Sequence, residues 1–190
     1  WWRKWNNMYQ NFKYVLYHGT IANIEKIDIG QGKGRKDFGK GFYMAVSRSQ
    51  AVGMMHKKYK EAVRRSRNKR ASDFTEHLYQ IELDDLVVKS LNIRFFEQAD
   101  EDWLDFILMC REKGGTPHHY DMVIGPTADD DTMLCLKTYW DGLYGVVGSL
   151  EAKKILLNNL ETENLGIQYF IGKQEVVDSV IKSIKEVDWR

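Results

Sequence analysis

Tyr14-Val-Leu-Tyr-His-Gly-Thr20 is a short run of β-branched and aromatic residues broken by a glycine. That pattern predicts a strand that delivers His18 to its end. Outward from it, Gly30, Gly32 and Gly34 alternate with Lys33, Arg35 and Lys36 in a basic, flexible loop. Asp37-Phe-Gly-Lys-Gly-Phe-Tyr43 then reads as a tight turn running into a second strand near Phe42. Ser47 is a candidate cap for a long helix reaching about Arg70, a stretch without proline. Further strands are expected at His77–Leu83, from Tyr120 to Gly125, and at Ile167-Gln-Tyr-Phe-Ile171.

Helices fill the intervals. Trp103, Phe106, Ile107 and Cys110 fall at helical spacing, and Gly114-Gly115 supplies a stop. The acids Asp129, Asp130 and Asp131 suit the start of a following helix, where they complement its dipole; helix capping is favoured over a divalent-ion site, and no metal is expected. Leu150 to about Leu160 reads as helical. Val176, Val177, Val180, Ile181, Ile184 and Val187 keep a 3.6-residue period and predict one last helix. Strands scattered among unequal helices indicate an α+β fold.

At 190 residues the chain fits one domain, expected over residues 8–190, with a core that needs no disulfide. Residues 1–7 (Trp1-Trp-Arg-Lys-Trp-Asn-Asn7) read as an added or truncated upstream segment, with Met8 as a natural start. A net charge of +1 gives no global field toward nucleic acid or membrane. No apolar run approaches the ~20 residues that span a bilayer, so no membrane partner is expected. Cys110 and Cys135 match no metal spacing and suit a reducing cytoplasm. Aromatic residues make up 13%, which leaves two readings open, a ring-stacking site or an aromatic-rich core.

Three segments carry candidate chemistry at strand ends. His18 before Gly19 allows a ligand to approach backbone closely, because glycine has no Cβ; a turn after a strand explains the same pair. Gly39 and Gly41 ahead of Phe42-Tyr43 can present Tyr43 as a stacking platform, or make an ordinary hairpin. Gln168 is a buried amide in need of partners, structural or ligand.

In this order the segments resemble bacterial ADP-ribosyltransferase-like proteins grouped as a domain of unknown function. Those are distantly similar to the poly(ADP-ribose) polymerase branch. The resemblance also takes in Trp103-Leu-Asp-Phe106, Tyr120-Asp121, Gly125-Pro126, Ala128-Asp-Asp130 and Gln168-x-Phe170. It implies an ADP-ribosyltransferase-like split mixed β-sheet core flanked by helices, and NAD as substrate. It also implies a catalytic set of His18, Tyr43 and Gln168. His18 would bond a ribose, Gly19 would grip the nicotinamide carboxamide, and Tyr43 would stack on the nicotinamide ring. Thr20, Asp37, Lys40 and Gly41 would complete the NAD-binding set, with Lys40 toward the pyrophosphate.

Gln168 stands where the polymerases have Glu. Gln keeps hydrogen bonding but cannot act as a general base. Single transfer to a macromolecular acceptor, protein or nucleic acid, is therefore expected rather than polymer synthesis. An NAD- or ADP-ribose-binding module without turnover is the alternative, and a phosphate-directed RNA-processing enzyme such as a 2′-phosphotransferase ranks behind both. The resemblance suggests the toxin of a toxin–antitoxin pair, with an antitoxin protein as partner. Eight cations between Lys57 and Arg70 could meet phosphates or an acidic partner, or form a solvated face. His118-His119 is a weaker candidate for acceptor recognition.

Overall fold

The structure is a computed structural model that describes residues 12–32, 35–66, 70–128, 130–160 and 165–190. It is an α+β arrangement: among the described residues, seven strands form one mixed sheet flanked by six helices. The strands are β1 (Val15–Thr20), β2 (Phe42–Ala45), β3 (His77–Leu83), β4 (Ile93–Phe95), β5 (Met122–Pro126), β6 (Ile167–Ile171) and β7 (Ile181–Val187). They lie in the order β4-β5-β6-β2-β1-β3-β7. β4 and β5 run parallel, and every other pairing is antiparallel. The helices are α1 (Arg48–Arg65), α2 (Asp85–Val88), α3 (Glu101–Lys113), α4 (Asp130–Trp140), α5 (Leu150–Asn159) and α6 (Gln174–Val180).

Local chemistry sets the helix ends. The Ser47 hydroxyl accepts from the Gln50 N–H at 3.3 Å and starts α1. Asp100 does the same for α3, accepting from the Trp103 N–H at 3.0 Å, and Gly114 ends that helix with a φ of +68°.

Alternation along the strands sends side chains to two faces. On one face Leu16, Phe42, Met44, Ile81, Tyr169 and Ile171 pack with Val176, Val177 and Val180 of α6. On the other, Val123 and Phe170 pack under Trp103, Leu104 and Ile107 of α3, together with Leu136 of α4 and Leu156 of α5. Tyr17, Ala45 and Leu78, on that second face, receive Ala51 and Met55 of α1. So α1 covers the β1–β3 side of this face, and α3 to α5 cover the β5–β6 side. Tyr43 of β2 lies between the two groups.

One expectation fails. Residues 181–187 do not continue the last helix; α6 stops at Val180, and Ile181–Val187 is a strand paired with β3. The register shifts between Glu82 and Leu83, so one extra residue of β7 sits between Ile184 and Ile181. That bulge puts both isoleucines against the same core, while Val187, three unbulged residues on, turns to the α1 side. A bulged strand serving both faces imitates a helical spacing of three.

Smaller departures also occur. Helix α1 ends at Arg65, short of Arg70, and residues 67–69 lie outside the described set. Lys33, Gly34, Asp129 and residues 1–11 lie outside it too. Strand β5 begins at Met122 rather than Tyr120, and short β4 and α2 had no counterpart in the sequence reading. Among the described residues no helix is long and apolar enough to cross a membrane.

Candidate functional site

The sheet is joined at its middle by very little. Strands β1 and β2 share the single residue pair Tyr17↔Ala45, whereas β1 and β3 share six. Past that pair His18 would oppose Met44, and Gly19 would oppose Tyr43. Instead the His18 Nδ1–H donates to the Tyr43 carbonyl at 2.6 Å. A carbonyl can only accept, so the proton is on Nδ1 and Nε2 keeps its lone pair. Burial holds the imidazole pKa down to about 3, helped by the charges of Lys58 and Lys36 and opposed by the Tyr43 carbonyl. His18 is therefore neutral at physiological pH. Its ring stacks on Phe42 at 4.6 Å between centroids.

Gly19 is bare for a packing reason. A Cβ there would lie 1.9 Å from the Ala51 carbonyl oxygen and 2.9 Å from the Met55 Cβ. Helix α1 thus sits directly on the β1 backbone. The Gly19 carbonyl, turned to the open side of β1, accepts from Lys58 Nζ at 2.7 Å. In an antiparallel strand a residue's N–H points the same way as its C=O, so the Gly19 N–H faces the seam as well. Burial and the nearby Lys36 bring the Lys58 ammonium down to about 8.

Tyr43 has its hydroxyl fully engaged. It donates to the Gly39 carbonyl at 2.7 Å and accepts from the Phe38 N–H at 3.1 Å. Burial, with Asp37 adding to it, raises the phenol well above its ordinary value. Acid–base work is thereby closed to the hydroxyl, and what Tyr43 offers is its ring. Phe170 tilts against that ring at 4.9 Å, and Lys36 Nζ lies 5.1 Å from its centroid.

Gln168 pairs with Ala45 and so lies on the same face as Tyr43, one row along. It is 7% exposed. Its Nε2 donates to Asp37 Oδ2 at 2.9 Å and, more weakly, to the Pro126 carbonyl at 3.5 Å. Asp37 is buried and forms an ion pair with Arg111 of α3. Its Oδ2 also accepts from the Ala128 N–H at 2.9 Å. The Pro126 carbonyl takes a further bond from Trp103 Nε1 at 3.1 Å. A strand, a helix and the loop after β5 thus meet on one buried carboxylate.

The remaining expected residues do structural work. Asp37 has both oxygens occupied by protein and backs Gln168. The Thr20 hydroxyl accepts from the Ala22 N–H at 3.2 Å, closing the turn after β1. The Lys40 N–H donates to the Gly115 carbonyl at 2.5 Å, and the Thr116 hydroxyl donates to the Lys40 carbonyl at 2.8 Å. A Cβ on Gly41 would lie 2.3 Å from the Ile171 carbonyl oxygen, so this glycine lets the loop cross β6. His118 Nε2 donates to the Phe38 carbonyl at 2.8 Å and pins the same loop.

The structure therefore brings Gly19, Tyr43 and Gln168 to one face by register, while the His18 ring, stacked on Phe42, bridges the seam to the Tyr43 carbonyl. Sequence reasoning missed Lys58, Lys36 and Arg111 as members of the site. Lys58 falls seven and three residues after the buried Ala51 and Met55, so the three follow i, i+4, i+7. Arg111 likewise continues the stripe of Trp103, Leu104, Ile107 and Leu108. A cation on an apolar stripe is the signal by which both can be found.

Together these features define an α+β protein with its polar centre at the seam of a nearly divided sheet. The chain belongs to the family described as "Protein of unknown function (DUF3990)", which it matches over residues 14–182. No curated protein matches it.

Proposed function

We propose that the protein is an NAD-dependent mono-ADP-ribosyltransferase that modifies a macromolecular acceptor. The observation that carries this reading is the open seam: the sheet parts beside Gly19, a neutral imidazole bridges the parting, and an aromatic ring lying under the Lys36 cation shares the Gly19 face with an amide. These groups are what the resemblance to ADP-ribosyltransferases asks of His18, Tyr43 and Gln168.

In this reading the nicotinamide ring lies on Tyr43 and takes the place of the Lys36 cation over it. Its carboxamide replaces Lys58 Nζ as donor to the Gly19 carbonyl, and its oxygen accepts from the Gly19 N–H. Lys58 and Lys36 then complement the negative diphosphate, which favours binding where Lys58 is protonated, below about pH 8. His18 Nε2 accepts from a ribose hydroxyl. The C1′–N bond breaks with its electron pair leaving on nicotinamide, and the acceptor nucleophile attacks C1′. Gln168 cannot remove the acceptor's proton, which passes to the acceptor's own base or to water. That limits the enzyme to single transfer. The acceptor is a protein or a nucleic acid, and a toxin restrained by an antitoxin in the cytoplasm is the role that fits.

A second reading, an NAD- or ADP-ribose-binding module without turnover, is favoured by one observation, the amide at position 168. Calorimetry with NAD, alongside nicotinamide release and transfer of labelled NAD into a lysate, separates the two. The enzyme predicts release or labelling that His18→Ala and Tyr43→Ala each reduce at least tenfold. Binding without release selects the module, and neither binding nor release removes both.

A further inference from the structure

We propose that Asp37 is a positioning residue: held by Arg111, it fixes the Gln168 amide with nitrogen inward and Oε1 outward, so a buried carboxylate stands one side chain behind the acceptor atom offered to the ligand. The ADP-ribosyltransferase reading supplies the ligand, NAD, and the proposal rests on it for that name alone.

The hydrogen bonds decide the orientation. Asp37 Oδ2 and the Pro126 carbonyl are both acceptors, so the atom facing them must be the donor end of the amide. The amide is planar, and its oxygen therefore points away from the buried network. The group that meets Gln168 must then be a donor, which a ribose hydroxyl is. Asp37 is felt electrostatically by its neighbours: it helps raise the Tyr43 phenol of β2 and the Cys110 thiol of α3, which burial already pushes up to about 12. Arg111 lowers both and is the opposing charge. A donor N–H that bonds a carboxylate polarises the amide and leaves its oxygen a better acceptor. Asp37 and Gln168 together thus do part of the work of a carboxylate placed directly at the ligand. The same geometry says that a Glu at 168 is no improvement, since its carboxylate would face Asp37 at hydrogen-bonding distance.

Gln168→Glu is the direct test. Its urea midpoint is expected to fall below that of the wild type at pH 7.5 and to recover toward it as the pH is lowered to about 5, where a protonated Glu can donate to Asp37. Equal midpoints for the two proteins across that range would overturn the proposal. Asp37→Asn lets the amide turn over: kcat for nicotinamide release is expected to drop at least tenfold, with KM changing less than threefold. An unchanged kcat in a folded Asp37→Asn protein also overturns it. Should that variant not fold, the side-chain amide signals of Gln168 in the wild type decide. Slow exchange of the Nε2 protons with solvent supports the proposal, and rapid exchange sinks it. If Gln168→Glu behaves as stated while the wild type neither binds NAD nor releases nicotinamide, the arrangement stands and the ADP-ribosyltransferase reading fails by itself.

Discussion

Replacing Gly19 with Ala separates a glycine kept for ligand approach from one kept for packing. The new Cβ would meet the Ala51 carbonyl oxygen at 1.9 Å, the carbonyl carbon at 2.8 Å and the Met55 Cβ at 2.9 Å. Backbone cannot rotate aside, so α1 must lift from β1 by more than an ångström to reach ordinary contact. Overpacking of this kind costs ~1–3 kcal/mol, and contact with backbone places it at the upper end. Stiffening the unfolded chain returns only ~0.4–1 kcal/mol, so destabilisation wins by about 2 kcal/mol. For 190 residues that lowers Tm by roughly 4–8 °C. Gly53 provides the control. It lies on the same helix with nothing within 4 Å of an added Cβ, so Gly53→Ala should stabilise by ~0.5–1 kcal/mol. Thermal unfolding followed by circular dichroism reads both. A Gly19→Ala protein that melts with the wild type would refute the packing account and return Gly19 to a purely ligand-facing role.

Two further outcomes follow from the seam and the last strand. Burial brings the His18 imidazole down to about 3 in the folded protein, against its ordinary 6.5 in the unfolded chain. Between those values the unfolded chain holds a proton that the native protein lacks. Stability therefore falls as pH drops through this window, by up to about 1.4 kcal/mol per pH unit, and His18→Gln should flatten that limb in urea titrations at pH 4 to 7; an unchanged slope counts against a buried neutral imidazole. Along Ile181–Val187, amide exchange should show alternate protection, since only the N–H groups facing β3 are bonded. Continuous protection from 181 to 187 would mean a helix after all.

Much of the architecture is legible in short-range pattern. The strands at His77–Leu83 and Ile167–Ile171, the Ser47 cap and the Gly114 stop all rest on local residue chemistry, and each is where the pattern puts it. The tail after Val180 was misread because periodicity assumes an unbroken strand or helix, and a bulge breaks that assumption. At the site, the sequence marks His18, Tyr43 and Gln168 but assigns the glycines between them to ligand contact. Gly19 and Gly41 also answer to packing against α1 and β6, which lie far away in sequence and leave no local trace. Asp37 shows the same limit: its exposed-looking turn is buried only because Arg111, Ala128 and Gln168 come to it from three other segments.

The nearly divided sheet also sets the order in which the protein can assemble. Leu78 of β3 pairs with Val187 and Phe42 of β2 with Ile171, so on each side of the seam one strand draws its partner from the far end of the sequence. Helices such as α1 and α3 need only neighbours and form within microseconds, whereas these ladders must first close very long loops. Folding of this protein is therefore governed by its last strands to dock. Until β6 and β7 arrive, β2 and β3 present bare edges that invite pairing between chains, and the seam that holds His18, Tyr43 and Gln168 is among the last features to exist.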